Sequence, residues 1–149
     1  MTTFLLLESS LVMVVPWLSL SDRVLVNRNS SFKKVYGEDV WRYDASNLDH
    51  SNLINDAMSC DARVVVPVII KGCSELFDGV KSMVDVDGGN GTTLNILVKV
   101  FSEILDINFD LAHVIDVAPK CDGVEHVAGN MFTSVFKVAV VFLKVYCYV

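Results

Sequence analysis

The stretch Met83–Leu94 reads Met-Val-Asp-Val-Asp-Gly-Gly-Asn-Gly-Thr-Thr-Leu, and it decides the fold of the chain. An apolar run leads into a glycine-rich turn, and the turn opens a helix-like segment that continues to Phe101. Glycine lets the backbone bend sharply and approach a ligand closely, while the start of a helix offers unpaired N–H groups. This order of strand, turn and helix is what a nucleotide-type ligand needs.

A second apolar run follows the loop and ends in an acidic residue. It extends from Ile104 to Phe109, and Asp110 comes next. An acidic residue at the tip of the second strand, about 20 residues past the loop, can accept hydrogen bonds from both hydroxyls of a ribose. The loop together with Asp110 therefore favours a cofactor that contains a nucleoside.

From Met83 onwards, predicted strands alternate with predicted helices. The strands are Met83–Val86, Ile104–Phe109, Val124–Ala128 and Val138–Leu143, and the helices are Thr93–Phe101 and Ala112–Ala118. Apolar strands that alternate with helices indicate a parallel sheet built from βαβ units. The predicted fold class is α/β.

The part of the chain before the loop is predicted to be mainly helical. Two short packed helices are expected before Gly37, with a break at Pro16, and the polar residues from Asp44 to Asn52 predict a loop. The β-branched run from Ala62 to Ile70 suits a strand locally, but Pro67 would be awkward in a central strand. One helix face is predicted from the spacing of Leu53, Ile54, Ala57 and Met58.

Composition limits the classes of function. The chain has 149 residues, 52% of them hydrophobic, a formal net charge of −6 and a mean hydropathy of +0.47. Nucleic acid is held by clustered Lys and Arg, so the acidic balance argues against a nucleic-acid partner. The length suits one domain with a sizeable core.

Neither a metal site nor a membrane span is expected. The four cysteines are widely spaced without a C-x-x-C pair, which indicates reduced thiols in a cytoplasmic protein and not a zinc site or a disulfide scaffold. The apolar run from Phe4 to Trp17 lacks a basic start and is too short and interrupted to cross a bilayer.

Four motifs, in order, resemble those of the plant small-molecule O-methyltransferases, such as the caffeic acid, flavonoid and acetylserotonin enzymes. They are Val84 to Gly91, Ile107 to Leu111, His126 to Phe132 and Val141 to Lys144, and the pieces Gly37 to Trp41 and Asn55 to Met58 are similar too. These enzymes transfer a methyl group from S-adenosyl-L-methionine (SAM) to an aromatic hydroxyl of a small molecule. The resemblance covers most of the chain, roughly from Leu5 to Lys144.

The resemblance implies a domain organisation. Residues 79–149 would be the N-terminal part of a Rossmann-like class I SAM methyltransferase domain. Residues 1–78 would be a helical segment that holds the end of a dimerisation region and the acceptor-pocket helices. Family members form homodimers, and most of the dimerisation region is expected to be missing here, so that the chain resembles a family member truncated at both ends. The resemblance also favours a helix from Ala62 to Ile70.

The resemblance further implies a set of site residues. Asp110 would hold the ribose hydroxyls, Met131 would pack on the adenine ring and Lys144 would contact the cofactor. The full cofactor-binding set is Asp87, Gly88, Gly89, Gly91, Asp110, Leu111, Asn130, Met131 and Lys144. Ile54 and Met58 would contact an aromatic substrate, although their spacing suits ordinary core residues equally well. No metal ligand is implied.

Three positions depart from the family pattern. Asp87 stands where the family has the first glycine of its triple, and a carboxylate there would hinder the loop and repel the SAM carboxylate, with an expected loss of affinity of about 2–4 kcal/mol. Asn130 stands where the family has Asp, which is a mild change because an amide oxygen can still accept. Tyr148 stands where the family has its catalytic histidine, and a tyrosine that titrates near 10 is a poor base at neutral pH.

These departures leave three readings open. The first is a SAM-dependent O-methyltransferase whose activity is impaired, with no catalytic residue identified, since His50, His113 and His126 do not occupy the family's base position. The second is a non-catalytic relative that acts as an interaction module or has no function. The third, a dinucleotide binder, fits less well because nothing after Asp110 suggests a nicotinamide site. The four-stranded sheet would also expose an apolar edge, which predicts self-association.

Overall fold

The computed structural model describes residues 2–21, 24 and 30–144. Their contacts divide the chain into two compact units, the first extending to Ala57 and the second beginning at Met58. This boundary lies inside one long helix, Leu48–Gly72. The domain boundary predicted between residues 78 and 79 stays a prediction.

The first unit is helical. Its helices are α1 (Thr2–Glu8), α2 (Leu11–Leu18), α3 (Ser31–Tyr36), α4 (Val40–Ser46) and the beginning of α5 (Leu48–Gly72). The N-terminal ends of α2, α3 and α4 are capped by Ser10, Ser30 and Asp39, whose side-chain oxygens each accept a hydrogen bond from the backbone N–H three residues later. Gly37 takes φ of 82° and ends α3, as predicted.

Two local predictions in this unit are wrong. Pro16 lies inside α2 and does not break it, because its missing N–H removes a single hydrogen bond from a helix that ends two residues later. The polar residues after Asp44 complete α4 and open α5 instead of forming a loop. There, His50 Nδ1 lies 2.6 Å from Asp44 Oδ1 in a buried pair, and Asn47 Nδ2 donates to the Tyr43 carbonyl at 2.7 Å. These bonds give Asp44, Asn47 and His50 polar partners within the helix junction, whereas the other ring nitrogen of His50, Nε2, is buried without a hydrogen-bond partner.

The helix that the resemblance favoured over Ala62 to Ile70 is confirmed as part of α5. The strand that the β-branched residues suggested locally is wrong. Pro67 is accommodated inside this helix. Ala62 and Val66, four residues apart on one helix face, are both buried in the core of the second unit, and this packing outweighs the local β-preference.

The second unit is an α/β fold with a parallel sheet, as predicted. Its strands are β1 (Ser82–Val86), β2 (Leu105–Asp110), β3 (Val124–Ala128) and β4 (Val140–Leu143), in the order β3-β2-β1-β4. A short 3-10 turn, Ser74–Phe77, precedes β1. The helices between strands are α6 (Thr92–Leu97) and α7 (Ala112–Ile115), each shorter than predicted at its C-terminal end.

The sheet has an apolar layer on each face. On one face, Met83 packs with residues of α5 and α6, including Val66 and Leu94. On the other face, the core consists of Val84, Val86, Ile107 and Phe109. The strand register also places three polar residues side by side on the Met83 face, because Asp85 pairs with Asn108 and Asn108 pairs with His126.

Across residues 2–21, 24 and 30–144, no helix combines the length and apolar character needed to cross a membrane.

Candidate functional site

The glycine-rich loop lies at the carboxyl end of β1, where the direction of the sheet changes. The chain adds β2 and β3 on one side of β1 and then returns to add β4 on the other side. In open parallel sheets, ligands bind in the crevice at this switch point, outside the carboxyl ends of the strands. The topology therefore places the loop of residues 87–91 where a ligand site is expected.

The loop conformation needs three residues with positive φ. Gly89 and Gly91 have φ of 59° and 80°, and Asp87 has φ of 60°. Among the described residues, Asp87 is the only one other than glycine with positive φ. A side chain in this left-handed region is strained, by about 1 kcal/mol for an aspartate, which is one of the residues that adopt this conformation most readily. The departure that the sequence identified at Asp87 thus falls on a backbone position that suits glycine.

Asp110 connects the end of β2 to the loop. Its Oδ2 accepts a hydrogen bond from Gly89 N at 2.7 Å, and its Oδ1 accepts one from Leu111 N at 2.6 Å. Burial raises the pKa of Asp110, and the N–H groups of Leu111 and Gly89 lower it in part. A carboxylate has about four acceptor sites, so each oxygen retains one for a further donor. The geometry leaves Asp110 able to bind a pair of hydroxyl groups.

The loop approaches the polar residues beneath it very closely. A Cβ added to Gly88 would lie 2.2 Å from Asn108 Oδ1, and one added to Gly91 would lie 2.8 Å from His126 Cε1. Asn108 Nδ2 also donates to the Gly89 carbonyl at 2.9 Å. The glycines at 88 and 91 are therefore required by close packing against Asn108 and His126, and not only by turn geometry.

A second set of contacts ties the loop to α5. Asn90 Oδ1 accepts hydrogen bonds from Ser59 Oγ at 2.9 Å and from Thr92 Oγ1 at 2.8 Å. Thr92 Oγ1 also lies 3.0 Å from Ser59 Oγ. The backbone N–H of Thr92, the first residue of α6, donates to the same Asn90 oxygen at 3.3 Å. The loop is thus held from both sides, by β2 and by α5.

The site is strongly acidic. Burial raises the pKa of Asp85 to about 7, Lys144 lowers it, and the charges of Asp110, Asp87 and Asp106 raise it further. Desolvation and then the charge of Asp110 raise the pKa of Asp87 to about 6, although the residue as a whole is exposed. Burial raises the pKa of Asp106, which is 1% exposed, to about 6. Part of the acidic charge is therefore neutralised by protonation near pH 6–7.

Lys144 follows β4 and pairs with an acidic residue of α5. Its Nζ lies 2.9 Å from Asp61 Oδ2, and both side chains are about a quarter exposed. The same ammonium group lowers the pKa of Asp85. Lys144 therefore supplies positive charge near Asp85 at the end of β4, and its contact with a cofactor stays a prediction.

Comparison with known proteins agrees with this architecture. The family model of the O-methyltransferase domain matches residues 17–148. The acetylserotonin O-methyltransferase of Arabidopsis thaliana is 48% identical over 95% of this chain, which spans 38% of that protein. The chain belongs to the O-methyltransferase family. Caffeic acid 3-O-methyltransferase 1 of Ocimum basilicum is 38% identical over 99% of the chain, which spans 40% of it.

Solved structures of similar fold include two methyltransferases. Human N-acetylserotonin methyltransferase, solved in complex with SAM, has a TM-score of 0.79 at 15% identity, over 95% of this chain and 42% of that one. Mitomycin 7-O-methyltransferase has a TM-score of 0.81 at 18% identity, over 93% of this chain and 42% of that one. At these identities the likeness concerns the fold. The chain spans about two fifths of the length of the relatives it matches.

Two of the residues that the family pattern predicts to bind cofactor follow β3. Asn130 is exposed, and its Oδ1 accepts a hydrogen bond from Phe132 N at 2.9 Å. Met131 is half-buried and packs against the Val84–Phe109 side of the sheet. Gly129 N donates to the Asp110 carbonyl at 2.8 Å, so this turn begins beside the end of β2. The structure brings the turn after β3 next to Asp110, and the cofactor roles of Asn130 and Met131 stay predictions.

The predicted substrate contacts lie on one helix. Ile54 and Met58 are both in α5, four residues apart; Ile54 is buried and Met58 half-buried. Ile54 belongs to the first unit and Met58 to the second. Their substrate-binding role stays a prediction. Tyr148, at the family's catalytic position, lies outside the described residues.

Several residues of this site were not predicted from the sequence. Asn108 and Asp85 were quoted only as parts of motifs, and Ser59, Asp61 and Thr92 were not singled out at all. One signal for the first pair was available, since both are polar residues inside apolar strands. The contacts of Ser59 and Asp61 join positions 31 and 83 residues apart in the sequence, which local spacing does not reveal. Within the described residues, no group of three or more His, Cys, Asp or Glu side chains is arranged to hold a metal ion.

Proposed function

We propose that the second unit binds SAM and that the chain belongs to a SAM-dependent O-methyltransferase acting on an aromatic hydroxyl of a small molecule. The observation that carries the proposal is the position of Asp110, whose carboxylate receives the Gly89 N–H at 2.7 Å and keeps acceptor capacity at the mouth of the crevice. A vicinal diol such as that of a ribose suits this arrangement.

The residues present fit the cofactor at most positions. The glycines at 88 and 91 let the loop backbone pack directly on Asn108 and His126, which holds the loop close over the ends of the strands. SAM carries a sulfonium, an ammonium and a carboxylate, so its net charge is positive and suits an acidic site. When bound, SAM supplies an activated methyl group. The residues of this chain would orient the nucleoside through Asp110 and place charge near the loop through Lys144.

We propose that methyl transfer by this chain is impaired. The family's base position is occupied by Tyr148, and tyrosine, with an ordinary pKa near 10, is a poor base at neutral pH. Asp87 introduces a carboxylate into the loop at φ of 60°. Both observations also support the alternative function, a non-catalytic relative that acts as an interaction module or has no function of its own.

Location, assembly and substrate follow from the family and are proposed with the activity. The names of two relatives, acetylserotonin and caffeic acid O-methyltransferase, support an acceptor of this kind, and a setting in plant secondary metabolism is proposed with it. A cytoplasmic location is supported by the free thiols of Cys73 and Cys121. A homodimer, with residues 1–78 as the helical segment and 79–149 as part of the cofactor domain, follows the family pattern.

The test compares two buried aspartates of β2. Binding of labelled S-adenosylhomocysteine is measured by equilibrium dialysis on the unmodified chain, on Asp110→Asn and on Asp106→Asn. Loss of charged hydrogen bonds to a diol should weaken binding of Asp110→Asn by about 10- to 100-fold. Asp106→Asn should bind as the unmodified chain does. Equal effects of the two substitutions would contradict the proposed role of Asp110.

Methyl transfer is tested separately. Transfer of a labelled methyl group to N-acetylserotonin and caffeic acid is measured with the unmodified chain and with Tyr148→His. We expect little or no product from the unmodified chain. Rapid turnover by it would refute the proposed impairment, while cofactor binding without transfer in either protein would favour the non-catalytic alternative.

A further inference from the structure

A chain of hydrogen bonds runs under the loop across two strands. Asn108 Nδ2 donates to the Gly89 carbonyl at 2.9 Å and lies 3.0 Å from His126 Nδ1. On the other side of the ring, His126 Nε2 lies 3.1 Å from the carbonyl oxygen of Pro119. Asn108 is completely buried. This series of hydrogen bonds therefore connects the glycine-rich loop to the segment that precedes β3.

The donor and the acceptor of each of these hydrogen bonds can be assigned. A carbonyl oxygen accepts only, so Asn108 must present its NH₂ group to Gly89, and a flipped amide would place two oxygens against each other. The second hydrogen of that NH₂ group points to His126 Nδ1, which must therefore accept. The Pro119 carbonyl also only accepts, so His126 Nε2 must carry a hydrogen. All of these hydrogen bonds form together only when the His126 imidazole is neutral and carries its hydrogen on Nε2.

We infer that His126 is a positioning residue that orients the Gly89 peptide through Asn108. With His126 Nδ1 as acceptor, one Asn108 hydrogen is committed to the ring and the other to the Gly89 carbonyl. The orientation of the Gly89 carbonyl then fixes the peptide that joins it to Asn90, whose N–H faces the opposite way. The ring also supports the loop directly, because a Cβ at Gly91 would lie 2.8 Å from His126 Cε1.

The role of His126 rests on the proposed function only for the identity of the ligand that the loop binds. His126 does not occupy the family's catalytic base position, and nothing in the proposed reaction requires it to exchange a proton. It would act on cofactor affinity through the shape of the loop. The hydrogen-bond chain itself is present whether or not SAM is the ligand.

The first experiment needs no substitution. The ¹⁵N chemical shifts of the His126 ring are measured by NMR in the unmodified chain. We expect a pyridine-like Nδ1 and a pyrrole-like Nε2. A ring protonated at Nδ1, or one that exchanges between tautomers, would overturn the assignment.

The second experiment compares His126→Gln with His126→Leu. A glutamine amide offers an acceptor and a donor at a separation similar to that of the ring nitrogens, whereas leucine offers neither. We expect amide hydrogen exchange at Gly89 and Gly91 to be accelerated in His126→Leu and largely restored in His126→Gln, with Val84 and Ile107 protected in both. Loop amides that exchange at the unmodified rate in His126→Leu would refute the inference.

Cofactor affinity provides the last comparison. Loss of one neutral hydrogen bond corresponds to about 3- to 10-fold weaker binding, which is expected for His126→Leu and not for His126→Gln. If the unmodified chain does not bind SAM, the proposed function fails while the tautomer and exchange results still decide the role of His126.

Discussion

Replacement of Asp87 separates backbone strain from charge in the glycine-rich loop. Asp87→Gly removes both the Cβ at φ of 60° and the carboxylate, and Asp87→Asn removes the charge alone. Relief of strain is worth about 1 kcal/mol, but glycine adds about 0.4–1 kcal/mol of backbone entropy to the unfolded chain, so the two nearly cancel. We expect Asp87→Gly to exceed Asp87→Asn in unfolding free energy by at most about 0.6 kcal/mol.

The charge contributes a pH-dependent part. The pKa of Asp87 is raised from 3.8 to about 6 in the folded state, so the folded protein binds more protons than the unfolded chain between these values. Stability therefore falls as the pH rises from about 4 to 6, and the penalty is complete above that range. Because Asp87 is exposed and solvent screens its charge, we discount this penalty to about 1 kcal/mol at pH 8.

The assay is urea unfolding followed by far-UV circular dichroism at pH 4 and pH 8. Asp87→Asn should be more stable than the unmodified chain by about 1 kcal/mol at pH 8 and equal to it at pH 4. A lower stability of Asp87→Asn at pH 8 would show that the carboxylate stabilises the loop, and the reasoning from desolvation and from repulsion by Asp110 would be wrong. If the unfolding free energy of Asp87→Gly is much lower than that of Asp87→Asn, the positive φ at position 87 is contradicted.

Two further substitutions test buried acids outside the loop. Asp106→Asn should raise the unfolding free energy at pH 8 by about 1–2 kcal/mol and change it little at pH 4, because both oxygens of Asp106 are buried without a hydrogen-bond partner and its pKa is raised to about 6. Urea unfolding at both pH values measures this difference. Equal stability of the variant and the unmodified chain at pH 8 would contradict it. Asp44→Ala should destabilise the first unit by about 1–3 kcal/mol by leaving His50 unpaired, whereas Arg42→Ala, which breaks an exposed pair with Asp39, should change stability little. Tryptophan fluorescence reports this unit, since both tryptophans precede Ala57, and similar effects of the two substitutions would refute the difference.

The order of strands and helices was predictable from the sequence because each strand from β1 to β4 has its own apolar run. The bounds of β3 were predicted correctly, and β1 and β2 to within one residue. The helix over Ala62 to Ile70 was predictable only from the family resemblance, because its β-branched residues locally favour a strand. Packing of Ala62 and Val66 into the core decides that segment.

The part of the candidate site that lies within one motif was predictable from the sequence. The glycines of the loop and Asp110 occupy fixed positions after their strands, and their cofactor roles stay predictions. The residues that hold the loop in place were not found, because Ser59 and Asn90 meet from distant parts of the sequence. The role of His126 depends on which ring nitrogen faces Asn108, and no sequence pattern contains that information.

Calorimetric titration with SAM, on the unmodified chain and on Asp87→Gly, tests the central claim that the loop and Asp110 form a SAM site. The strain at Asp87 is already present in the free loop, so only the charge and bulk of its side chain should weaken binding, by about 1–2 kcal/mol or 5- to 30-fold. We expect Asp87→Gly to bind SAM more tightly than the unmodified chain by about this factor. If neither protein shows a heat of binding although both unfold cooperatively in urea, the claim that the loop and Asp110 form a SAM site is contradicted.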